Sequence, residues 1–142
     1  MGLAKGMING VIGSCFFLSM AWAGDYQITD QLLETSSTII GEKIVYPGGG
    51  EAHIKSLVVV IPPGEVTKWH KHGVPLYAHV LAGTLTVDYG DRGKRVYKTG
   101  DTFMEAMDHW HRGQNDGSET VRILTVYMGG NQQAPVIPKP EQ

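Results

Sequence analysis

Two stretches decide how this chain folds: GEVTKWHKH, residues 64–72, and GDTFMEAMDHWHRGQN, residues 100–115. Each carries a His-x-His pair, His70/His72 and His109/His111, in a strand-and-turn context. Successive side chains of a strand alternate faces, so His70 and His72 project to the same side and can share one ion. A third imidazole, His109 or His111, then comes from another strand. That geometry suits a three-coordinate protein site with open positions on the metal.

Outward from these stretches, strands dominate. His53 to Ile61 (HIKSLVVVI) is a β-branched run stopped by Pro62-Pro63-Gly64, which no continuing strand tolerates. Val66 to His72 follows, with Val66, Lys68, His70 and His72 on one face. After Gly73-Val74-Pro75 come Leu76 to Leu81 and Thr84 to Tyr89, joined at Ala82-Gly83. Gly90-Asp91-Arg92-Gly93 is a tight turn into Lys94 to Lys98, and Thr99-Gly100-Asp101 leads into Thr102 to Ala106. A corner at Ala106 to His109 precedes His111 to Gln114, and Asn115-Asp116-Gly117-Ser118 precedes the last strand, Thr120 to Met128. Helical periodicity is confined to a short turn around Ile28 to Glu34. Short strands between Gly, Pro and Asp turns predict an all-β antiparallel sandwich or small barrel.

The chain has 142 residues, 42% hydrophobic and 18% charged, as expected of one globular domain. Residues 1–23 read as a secretory signal peptide: Lys5 supplies the positive start, Met7 to Met20 the apolar run, and Ala21-Trp22-Ala23 an A-x-A cleavage site before Gly24. Residues 24–142 then form the single mature domain, which is exported to a periplasmic or secreted location. Cys15 is the only cysteine, and the apolar run continues past it, against a lipidated cysteine. The mature chain therefore has no disulfide and no thiolate, which leaves imidazole and carboxylate as metal donors. Loss of Lys5 takes the formal net charge from −2 to −3, and with dispersed basic residues nothing points to nucleic acid. No membrane association is expected after cleavage. Gln133 to Gln142 (QAPVIPKPEQ) reads as a Pro-rich extended tail.

Over residues 64–115 the sequence resembles a small single-domain cupin, whose fold is the double-stranded β-helix or jelly-roll barrel. Gly64, His70, His72 and Gly83 match the first cupin motif in spacing, and Gly100, His111 and Asn115 match the second. Leu76 stands at the first motif's glutamate position, and Ala106 and Asp108 replace the second motif's Pro and Gly. The resemblance implies a site made by His70, His72 and His111, with the usual carboxylate missing. It selects His111 over His109, because only His111 keeps the spacing to Gly100 and Asn115.

Glu105 is the only carboxylate in the strand approaching the second motif. Three readings stand for it: a general acid or base, a replacement for the lost ligand from another direction, and a surface charge. His109, on the corner, is a candidate for a catalytic, supporting or substrate-facing role, with an exposed loop histidine as the alternative. Strand alternation points His79 away from the metal, and His53 has no partner at a useful spacing. The implied cofactor is a divalent ion, iron, zinc, manganese, copper or nickel, which three imidazoles do not distinguish. The expected activity is dioxygenase-like or Lewis-acid chemistry, of isomerase or lyase type, on a small oxygenated molecule. The alternative is a non-catalytic module that binds a small ligand, with the metal as an anchor or a structural ion. A homodimer is expected, with Ile39 to Tyr46 and Gln133 to Lys139 as covering or exchanged edge strands.

Overall fold

The computed structural model describes residues 30–46, 51–130 and 133–141. The chain divides into two units, Met1–Asp30 and Gln31–Gln142, and the second contains nine strands. They are β1 (Ala52–Ile61), β2 (His70–Lys71), β3 (Leu76–Ala82), β4 (Thr84–Asp88), β5 (Lys94–Lys98), β6 (Thr102–Met104), β7 (Arg112–Gln114), β8 (Val121–Gly130) and β9 (Ile137–Pro138). A 3-10 turn at Gly90–Arg92 is the only helical element among the described residues. No described helix is long and apolar enough to cross a membrane. The signal segment and Ile28–Thr29 lie outside the described residues, and Asp30–Glu34 has no helical turn.

The strands form a four-stranded sheet in the order β1-β8-β3-β6, a three-stranded sheet β5-β4-β7 and the pair β2-β9. Every named strand pair is antiparallel. The arrangement is the all-β jelly-roll barrel expected from the sequence. Alternation sets its interior: Val121, Ile123, Thr125 and Tyr127 of β8 are buried, while Arg122 between them is exposed. Leu76, Ala78 and Val80 of β3 share the same inward side. Val80 and Val121 are fully enclosed, and burial of each such side chain contributes roughly 2 kcal/mol.

The Ala82-Gly83 joint links the two larger sheets. β3 and β4 are consecutive in sequence but lie in different sheets, so the chain crosses there from one layer to the other. Gly83 has φ +79°, and a Cβ on it would stand 3.0 Å from the Thr120 carbonyl oxygen and 3.1 Å from Val121 Cα. Gly64 has a similar φ of +81° with nothing within 4 Å. Gly64→Ala, in the turn closed by the Glu65 amide on the Pro62 carbonyl, is thus expected to carry only the left-handed backbone cost of about 1 kcal/mol. Gly83→Ala should carry that cost plus a backbone clash, for about 3 kcal/mol in total. Equal melting temperatures for the two variants would contradict this packing.

The flanking segments are used within the chain. β9 pairs with β2, Lys71 opposite Ile137, and the Lys139 amide donates to the Trp69 carbonyl at 2.9 Å. The Pro-rich tail is therefore a covering strand of its own domain. Upstream, the Ile39 amide donates to the Met104 carbonyl at 2.9 Å, along the edge of β6.

Candidate metal centre

His70 and His111 face each other across an antiparallel bridge, each amide donating to the other's carbonyl at 2.9 Å. The His72 amide donates to the Met107 carbonyl at 2.9 Å. These backbone bonds bring the first motif against the corner of the second. The ligand-capable nitrogens of His70, His72 and His111 all lie within 4.8 Å of one another. His72 and His111 are 3% and 2% exposed.

The tautomers follow from the partners. Nδ1 of His70 lies 2.8 Å from the Lys68 carbonyl, Nδ1 of His72 2.9 Å from that of Pro135, and Nδ1 of His111 2.9 Å from that of His109. A carbonyl oxygen can only accept, so each Nδ1 carries the proton and each neutral ring keeps a bare lone pair on Nε2. Burial is the main cause holding all three imidazoles below the usual histidine range, His72 down to about 3. They are neutral at pH 7. His72 Nε2 and His111 Nε2 then meet at 3.2 Å with no proton between them. Two lone pairs held that close repel unless a cation lies between them, and carbonyl-anchored imidazoles are how proteins orient metal ligands. The donor set fits a divalent ion with affinity for imidazole.

Glu105 follows β6 and is 6% exposed. Its amide donates to the Leu76 carbonyl at 2.9 Å, so it sits across the strand pair from the position where the family's glutamate is absent. Its Oε1 accepts from the Tyr89 hydroxyl at 2.7 Å and from the Ala106 amide at 2.8 Å. Its Oε2 lies 3.9 Å from His111 Nε2. Burial pushes the carboxyl up to about 7, against the two hydrogen bonds, which favour the anion. With His111 neutral this contact is not an ion pair. Glu105, His70, His72, His111 and Leu76 line a cavity of about 80 Å³ whose other walls include Leu85, Ile123 and Tyr127. Among the described residues Glu105 is the only charged side chain of that lining apart from the histidines.

The remaining sequence candidates fall elsewhere. The His109 ring places Nε2 2.7 Å from the Tyr89 carbonyl and 3.2 Å from Asp91 Oδ1, and it does not line the cavity. Its contribution to the site is its own carbonyl, which fixes His111. His79 pairs with Leu124 and Thr102 on the strand face opposite Ala78 and Val80, and its Nδ1 is buried without a partner. His53 is exposed. Asn115 is 1% exposed, and its Nδ2 donates to the carbonyls of Ile61 and Glu119 at 2.9 and 2.8 Å. It pins the end of β1 to the loop before β8.

Two supports had no signal in the sequence. Pro135 lies in the tail, 63 residues from the His72 ring it orients. The Glu42 carboxylate accepts from the amides of Met107 and Asp108 at 2.8 and 3.0 Å. It thereby holds the corner where Pro and Gly of the second motif are replaced.

A jelly-roll barrel with three convergent, buried, carbonyl-anchored histidines defines a candidate mononuclear metal-binding β-domain. The model of the family described as "Cupin domain" matches residues 57–127, half of the chain. The chain belongs to the cupin family. No curated protein matches it. Among solved structures it is similar to the polyketide cyclase RemF from Streptomyces resistomycificus, at 17% identity over 79% of this chain and 80% of that one, with a TM-score of 0.55. It is also similar to the DMSP lyase DddQ from Ruegeria pomeroyi, at 23% identity over 62% of this chain and 45% of that one, with a TM-score of 0.53. Oxalate decarboxylase from Bacillus subtilis matches at 25% identity over 54% of this chain and 21% of that one, with a TM-score of 0.46. The chain thus spans less than two thirds of the lyase and of the decarboxylase, and the likenesses to the cyclase and lyase show the shared fold.

Proposed function

We propose that this cupin is an exported metal-dependent protein that acts on a small oxygenated molecule, with His70, His72 and His111 as its metal ligands. The observation that carries the reading is the set of bare Nε2 lone pairs, each fixed by a carbonyl on Nδ1, at a cavity with largely apolar walls. A divalent ion bound by neutral imidazoles keeps its full charge and supplies Lewis acidity or, as iron or copper, dioxygen chemistry. The chain's own walls do the rest. They are largely apolar, and at about 80 Å³ they admit only a small molecule. No lysine or arginine lines the cavity among the described residues, so an anionic or enolate-like group finds its counter-charge only at the metal position.

Elemental analysis of untagged protein from its native compartment, followed by an assay of the loaded protein, tests this. About one ion per chain is expected, together with turnover of a small hydroxy or keto acid, seen as oxygen uptake or as isomerised or cleaved product. Protein without metal would overturn the proposal. Tight binding without turnover would select the non-catalytic module, a reading favoured by the scarcity of acid-base groups in the lining. Export rests on Lys5, the apolar run and Ala21-Trp22-Ala23, and it predicts a mature N-terminus at Gly24. A homodimer is part of the proposal: β1 pairs only with β8 and exposes Ile54, Val58 and Val60, as an edge awaiting a partner does. Light scattering reads that mass directly.

A further inference from the structure

The geometry points to Glu105 as a fourth metal ligand through Oε2, a carboxylate moved from the first motif's position on β3 to the end of β6. This rests on the metal-centre reading above. Leu76 occupies the position where the family's glutamate is absent, and the Glu105 amide bonds the Leu76 carbonyl at 2.9 Å. The acid has therefore moved to the adjacent strand and still lines the same cavity. Oε1 is committed to the Tyr89 hydroxyl and the Ala106 amide, which leaves Oε2 as the oxygen without a hydrogen-bond donor. Oε2 lies 3.9 Å from His111 Nε2. Two donors of one ion are separated by at most two metal–ligand bonds, about 4.2 Å, so Oε2 and His111 Nε2 are within reach of one metal, beside a mutually close donor group that is the three histidines alone.

The same geometry links the two departures from the family pattern. Proline has no N–H, so the bond from residue 106 to Oε1 exists only because alanine replaces the second motif's proline. Leu76 in place of Glu and Ala106 in place of Pro are then one coordinated change: the first removes the old ligand, and the second creates the donor that aims the new one. The side chain of Tyr89, fully buried, completes that aim from β4's end.

Zinc affinity, by competition with a chromophoric chelator, and the ligand-field spectrum of the cobalt(II) protein test this in the full chain. Glu105→Gln is expected to weaken zinc binding about 100-fold and to shift the cobalt spectrum, while Ala106→Pro weakens binding about 10-fold. Adding Leu76→Glu to Glu105→Gln should recover most of the loss. Zinc affinity and cobalt spectrum unchanged in Glu105→Gln would overturn the inference and leave a three-histidine centre. If that variant does not fold, an unchanged Ala106→Pro protein overturns it equally. A wild-type protein that binds neither ion would instead overturn the metal-centre reading itself.

Discussion

Replacing His70 and His72 together with alanine is expected to abolish metal binding and, with it, the stabilisation that a bound ion confers. An ion present at about 1,000 times its dissociation constant stabilises the folded state by about 4 kcal/mol. For a domain of roughly this size each kcal/mol moves the melting temperature by about 4 °C, so chelation of the wild-type protein should lower it by about 15 °C. The double variant should show no response to chelator or to added zinc. The effect is large because the site is preorganised: the Nδ1 carbonyl bonds hold the lone pairs together whether or not an ion compensates them. A melting temperature in the wild type that ignores both chelator and added metal would contradict the centre.

The second large effect is on the acid stability of the metal-free protein. Burial holds His72 down to about 3 in the folded chain, against the ordinary histidine value of 6.5. As pH falls below 6.5 the unfolded chain takes up a proton that the folded chain refuses, so stability declines until the folded value is passed. His70 and His111 are shifted in the same direction by the same cause, burial. Glu105 opposes them: its folded value is raised from 4.5 to about 7. Its contribution is therefore complete below 4.5 and is lost as pH rises towards 7. Between pH 6.5 and 4.5 His72 and Glu105 each change stability by about 2 kcal/mol, with opposite signs. Metal-free wild type should therefore decline gently over that range and steeply below pH 4.5. Metal-free Glu105→Gln lacks the opposing group and should already lose about 2 kcal/mol or more between pH 6.5 and 4.5. Urea unfolding across pH reads both curves, and parallel curves for the two proteins would refute the assignment of the buried carboxyl.

Much of the site is legible before folding because its signals are local. The alternation that puts His70 and His72 on one side also turns His79 to the other, and both placements hold in the structure. The motif spacing from Gly100 to Asn115 singles out His111, which joins the cluster. Local signals stop short where one turn serves two topologies. Ala82-Gly83 marks a joint between two strands without saying whether they pair, and here it carries the chain between sheets, because β3 is already taken by β8 on one side and β6 on the other. The strand at Val66 to His72 shortens to His70–Lys71 for a related reason: only there does β9 supply a partner.

The sequence by itself determined the all-β architecture and the side of each strand, since a period of two and Gly–Pro punctuation are properties of neighbouring residues. It also determined that imidazole and carboxylate are the only strong metal donors after residue 23. Only the tertiary structure decided which partners complete them. Pro135 orients His72 from the tail, Glu42 holds the Met107–Asp108 corner from before the first strand, and Glu105 faces the space that Leu76 leaves without an acid. These contacts join residues some 30 to 65 positions apart. No local pattern encodes them, because they exist only once the sheets have closed and each buried polar group has had to find a partner.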